Sequence, residues 1–188
     1  MSSFTWAESE SKVPPVAVLL PGTGYPVRAP LLFWCARILA ETGWHVQAVE
    51  WKVDAEALAD PRPFVERAVA DAFDAAPSTS RRLIVAKSFG SFALPWARRE
   101  GIPGVWLTPV LSDESVRSGL LGATPADLAI GGGADDLWMP DRVSGTDATL
   151  ISVPAADHSL AIPGDWRRSI EVQSEIFSRI AQHVGQLI

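Results

Sequence analysis

Three neighbourhoods in this sequence hold residue types that could do chemistry together: Ala86-Lys87-Ser88-Phe89-Gly90, the loop Pro154-Ala155-Ala156-Asp157-His158-Ser159, and the stretch Ala129 to Pro140 with its adjacent Asp135 and Asp136. A serine hydroxyl is a weak nucleophile until a neighbouring base takes its proton. A tight strand-to-helix turn can lift a serine Oγ clear of a sheet only where the residues two positions either side are small; Ala86 and Gly90 meet that need, with Ala standing where the G-x-S-x-G pattern has its first Gly. A helix opening at Phe89 would aim its unpaired N–H groups at the reacting centre. A carboxylate behind the imidazole would hold the histidine tautomer and stabilise the imidazolium. Asp135 and Asp136 are the candidates, the other being free to cap a turn.

These residues cooperate only if the fold brings them to one edge. Short, largely unalternating apolar runs at Val16–Leu20, His45–Trp51, Leu83–Ala86, Gly104–Thr108, Leu128–Ile130 and Leu150–Val153 predict six strands buried on both faces of a parallel sheet, with Phe4–Ala7 as a further edge strand. Between them Pro30–Thr42, Pro63–Ala75, Phe89–Glu100, Asp113–Leu121, Asp141–Val143 and Trp166–Val184 read as helices. Right-handed crossovers then give a three-layer α/β/α sandwich with a mostly parallel sheet of six or seven strands, whose ligands gather at the carboxyl ends of the strands. The chain has three histidines. His45 opens a strand at the wrong edge and His183 lies near the end of the closing helix, which leaves His158, directly after the last strand, as the base for Ser88.

Composition narrows the setting. The chain has 188 residues, 47% hydrophobic and 20% charged, as expected of one globular domain over 1–188. Its formal net charge of -6 and its scattered basic doublets argue against nucleic acid, which clustered Lys and Arg recognise. No run approaches the roughly 18 apolar residues of a membrane span, and Ser2 to Lys12 is polar rather than a leader, so a soluble cytoplasmic protein is expected. The single cysteine, Cys35, sits in an apolar stretch as a buried thiol, and neither cofactor nor metal is implied. An exposed edge strand or a Trp-rich patch could support a homodimer.

With Ser88, the paired aspartates and His158 each following a strand in that order, the chain resembles the α/β-hydrolase superfamily, in particular its small, nearly lidless, dienelactone-hydrolase-like and esterase-like members. The resemblance covers Val16 to the C-terminus. It implies that the acid stands three residues after Gly133 and four before Pro140, at Asp136. The family's Gly-x-x-His loop is matched loosely by Ala155 to His158, and a serine in place of the cysteine of dienelactone hydrolases points to esterase-like relatives. It also implies an oxyanion hole from the backbone N–H groups of Thr23 and Phe89, in the turn Leu20-Pro21-Gly22-Thr23-Gly24-Tyr25 and at the elbow.

Fewer than 20 residues separate Thr108 from Leu128, too few for a cap domain, so strand-end side chains should wall an open pocket: Tyr25, Trp106 and Trp138 above all, with Trp51, Val110 and Leu111 beside them. Lys87 would pair with a carboxylate such as Asp113, stiffening the elbow, or meet a substrate carboxylate. A partial dinucleotide fingerprint, Gly22-x-Gly24 with Glu50 after the next strand, lacks its third glycine, Val27 standing there. The expected activity is hydrolysis of small acyl esters or thioesters through a Ser88-His158-Asp136 acyl-enzyme route. A non-catalytic binding or scaffold protein on the same fold, and acyltransferase or lyase chemistry on the same residues, are the alternatives.

Overall fold

The order in which the strands pair decides which loops meet. In a computed structural model, which describes residues 1–187, seven strands form one sheet in the order β1-β3-β2-β4-β5-β6-β7. They are β1 (Ser2–Ala7), β2 (Val16–Leu20), β3 (His45–Glu50), β4 (Arg82–Lys87), β5 (Gly104–Leu107), β6 (Leu128–Gly132) and β7 (Thr149–Val153). From β3 to β7 neighbouring strands run parallel, and β1 closes one edge antiparallel to β3. The helices are α1 (Pro30–Glu41), α2 (Ala55–Ala59), α3 (Pro61–Asp74), α4 (Leu94–Glu100), α5 (Glu114–Leu121) and α6 (Trp166–Gly185). The sandwich and the seven-strand count are as the apolar runs predict. No described helix is long and apolar enough to cross a membrane.

Side chains along a strand point alternately to opposite faces, and this splits the core in two. Ala17, Leu19, Leu83, Val85, Val105, Leu107, Leu128 and Ile130 pack against Leu31, Leu32, Cys35 and Leu39 of α1 and Val172, Ile176 and Ile180 of α6. Val18, Leu20, Ile84, Ala86, Trp106 and Ala129 face Val65, Val69 and Ala72 of α3, Leu94 and Ala97 of α4 and Val116 and Leu120 of α5. Emptying one such site, for example Leu31→Ala, costs about 2–5 kcal/mol. At some helix starts a side chain satisfies the orphan amides: Asp113 accepts from Ser115 and Val116 at the head of α5, and Asp165 from Arg168 at the head of α6. Gly101 closes α4 in a left-handed conformation, φ 65°.

The expected helix over Phe89–Glu100 is split. Residues Ser88–Ala93 form a tighter 3-10 segment before α4 begins at Leu94, where Pro95 takes an early helical position. Pro140–Val143 is likewise 3-10, and α2 lies where no helix was expected. The carboxylate of Asp127, at the amino end of β6, is fully buried beneath the sheet. It accepts from Arg98 at 2.8 and 2.9 Å, from Gly104 N, from Trp106 Nε1 at 3.1 Å and from Thr124.

Candidate active site

Ser88 follows β4 directly and sits at φ 52°, a left-handed backbone that a non-glycine residue adopts only under constraint. The constraint is packing. A methyl group on Gly90 would stand 2.8 Å from Leu20 Cβ and from its carbonyl oxygen, so the elbow closes against β2 only with glycine there. Phe89 is anchored in an aromatic cluster with Trp51, Phe64 and Phe92, ring centroids 5.5 to 6.2 Å away. The strand crossing order sets the loops after β2, β4, β6 and β7 around this turn.

His158 comes from the loop after β7, which its neighbour Asp157 shapes. The Asp157 carboxylate accepts from Ser159 N at 2.7 Å and Ala161 N at 3.0 Å, a local turn typical of aspartate. Gln173 of α6 donates to the Leu160 carbonyl and braces the loop from behind. So held, His158 Nε2 lies 2.7 Å from Ser88 Oγ and Nδ1 lies 2.7 Å from Asp135 Oδ2. The Asp135 side chain is 3% exposed and that of His158 34%, so the carboxylate is dry while the imidazole is partly open to solvent. The second Asp135 oxygen accepts from Leu137 N at 3.0 Å.

The carboxylate that meets His158 is therefore Asp135, not the expected Asp136. The loop after β6 makes a tight turn in which Ala134 N donates to Ala156 O and Trp138 N to Asp135 O, and this sends the Asp135 side chain inward and leaves Asp136 exposed. Two of the three expected pocket walls are corrected as well. Trp106 is 0% exposed on the α4/α5 face, bound to Asp127 below the sheet. Trp138 is 6% exposed, its indole lies against Gly131, and its Nε1 donates to Ser152 Oγ at 2.8 Å. Both rings shape the protein under the site rather than the site itself.

Tyr25 stays at the site. Its turn bridges Gly22 to Tyr25, and a methyl on Gly22 would stand 3.4 Å from Ser88 Cβ, so this turn abuts the serine. The Tyr25 hydroxyl accepts from Leu31 N, and burial raises its pKa. Thr23 is exposed in the same turn, and Phe89, 5% exposed, follows the serine. A cleft of about 320 Å³ opens here, lined by Pro21, Gly22, Tyr25, Val49, Glu50 and Trp51. Neither this cleft, which adjoins the turn, nor a larger groove of about 430 Å³ between β7 and α6 is lined by Ser88, Asp135 or His158. Lys87 does not meet Asp113, which caps α5; its ammonium donates to the His158 carbonyl at 2.9 Å. Cys35 is buried and its thiol is pushed up to about 12. Among the described residues no group of three or more His, Cys, Asp or Glu side chains could hold a metal.

Sequence reading missed the Asp127 cluster, the role of Asp157 and the Trp51–Phe89 aromatic group. Only Asp157 left a local signal, an aspartate two residues before Ser159 in a short loop.

No family model matches the sequence, and no curated protein does either. Solved structures do. Est1E of Butyrivibrio proteoclasticus, solved with ferulic acid bound, is 11% identical with a TM-score of 0.70, over 98% of this chain and 95% of its own. Dienelactone hydrolase of Anabaena variabilis is 17% identical with a TM-score of 0.66, over 99% of both chains. An a/b serine hydrolase without lid from Xanthomonas campestris is 16% identical with a TM-score of 0.60, over 100% and 94%. Full-length superposition at identities this low establishes shared architecture, and the chain has the α/β-hydrolase fold.

Proposed function

We propose that this protein is a serine hydrolase of small acyl esters or thioesters. The observation that carries this reading is the unbroken hydrogen-bond chain from Asp135 through His158 to Ser88, both links 2.7 Å, on a strained strand-to-helix turn. Ser88 Oγ attacks the acyl carbon while His158 Nε2 takes its proton; Asp135 fixes the tautomer and stabilises the imidazolium. The backbone N–H groups of Thr23 and Phe89 receive the developing oxyanion, each such donor being worth about 3 kcal/mol. His158 then protonates the leaving group. A water molecule, activated by the same imidazole, releases the acyl-enzyme. The cleft walls Tyr25 and Trp51 and the likeness to Est1E, solved with ferulic acid, make aryl and short acyl esters the first substrates to try.

Intact-mass labelling with a fluorophosphonate tests this directly: Ser88 Oγ displaces fluoride at phosphorus and its proton passes to His158. One adduct per chain, lost in Ser88→Ala and in His158→Ala, is expected, together with an ester turnover that falls by about 10⁶-fold in either variant. A folded wild type that takes no label and turns over no ester overturns the proposal in favour of a binding protein. Acyl transfer to an added alcohol or thiol, outrunning hydrolysis, would reassign the same residues to an acyltransferase.

A further inference from the structure

Lys87 is the last residue of β4, and the strand alternation sends its side chain into the α1/α6 face with Leu83 and Val85. It is 2% exposed. Burying an ammonium is costly unless partners compensate it, and leucine or methionine would serve a sheet core better. Every partner of this ammonium belongs to the site. A methyl on Gly22 would stand 3.4 Å from Lys87 Cδ, the Nζ stands 5.0 Å from the Tyr25 ring centroid, and it donates to the His158 main-chain carbonyl at 2.9 Å. Asp135 and Asp157 are the carboxylates whose charge supports it. The buried α1 thiol of Cys35, which acts on Tyr25, is neutral, and from α6 the neutral Gln173 holds the same loop.

We propose that Lys87 is a positioning residue for the base: its ammonium ties the His158 main chain to the turn that carries Ser88 and keeps a cation beside the Asp135 carboxylate. The inference rests on the reading of Ser88, His158 and Asp135 as the reacting groups. Burial lowers the Lys87 pKa to about 8, outweighing the pull of the two aspartates. The cation is therefore in place below that pH and is lost as pH rises through it, leaving a neutral amine that donates more weakly to the His158 carbonyl.

Fluorophosphonate labelling rates from pH 6 to 10 on wild type, Lys87→Met and Lys87→Arg test the role. Methionine keeps the length without the charge or the donor, and arginine keeps the charge across the range. Wild type should lose rate above about pH 8. Lys87→Arg should hold its rate there, and Lys87→Met should label about tenfold or more slowly at pH 7 and show no fall near 8. The downfield proton resonance of His158 Nδ1–H, hydrogen-bonded to Asp135, gives a second reading independent of reactivity; it should persist in wild type at pH 7 and broaden or vanish in Lys87→Met. A folded Lys87→Met with wild-type rates and an unchanged resonance overturns the inference, as does an alkaline fall shared by wild type and Lys87→Arg. The Arg comparison stands even where the Met variant does not fold. A wild type that never labels would refute the hydrolase reading alone, because the resonance still decides the tie between Lys87 and the His158 loop.

Discussion

Replacing Asp135 with asparagine changes one atom in the buried link to His158 and should disable the site with little change in its shape. At 2.7 Å, with an effective dielectric constant of about 20, the attraction between a carboxylate and the imidazolium formed during attack is about 6 kcal/mol. Solvent reaches the imidazole, which trims that figure toward 4–5 kcal/mol. Each 1.36 kcal/mol is tenfold in rate, so turnover should fall by about 10³- to 10⁴-fold, the size expected when an amide also favours the wrong tautomer. Asp136→Asn is the control: its carboxylate is exposed and should matter less than threefold. The assay is kcat/KM on an activated short-chain ester, with urea midpoints recorded to show that both variants stay folded. A loss below tenfold in Asp135→Asn, or an equal loss in Asp136→Asn, would refute the assignment of the acid.

Three other outcomes follow from the same geometry. Asp127→Ala leaves the Arg98 guanidinium, only 16% exposed, without its buried partner and should lower stability by about 3–5 kcal/mol in urea unfolding; a change below about 1 kcal/mol would contradict the reading of Asp127 as a structural hub. Gly90→Ala drives a methyl into Leu20 and should cost about 1–3 kcal/mol while slowing serine labelling, whereas wild-type stability would show that the elbow has room. Because Lys87 in the folded chain titrates at about 8 rather than near 10.5, the unfolded chain binds more protons between those values, and that part of stability rises with pH from 8 toward 9.5. Urea midpoints should therefore climb across that window in wild type relative to Lys87→Met; the raised Cys35 thiol from about pH 9, and the raised Tyr25 phenol above pH 10, act with the opposite sign in both proteins. Equal pH dependence in the two proteins would exclude Lys87 as the source.

Much of the architecture is written locally. Continuous apolar runs such as Val16–Leu20 and Leu83–Ala86 can only be strands covered on both sides, and the helical stretches between them force parallel crossovers; the strand edge where Ser88 and His158 meet follows from that alternation. What the linear pattern left open were choices between neighbours. Asp135 and Asp136 differ by one position, and which of them turns inward depends on hydrogen bonds from Ala134 to Ala156 and from Trp138 back to Asp135. Trp106 and Trp138 are aromatic residues near strand ends, but their indole N–H groups find acceptors in Asp127 and Ser152, contacts made across the sheet that keep both rings out of the cleft. Lys87 shows the same limit, since its acceptor lies 71 residues away. The sequence by itself determined the sheet and the strand-end placement of Ser88 and His158, because periodicity and turn chemistry act over a few residues. Only the tertiary structure decided which aspartate meets His158, which aromatic rings are buried and where Lys87 is tied, because those depend on which side chains meet across strands distant in sequence, where burial forces every polar group to find a partner.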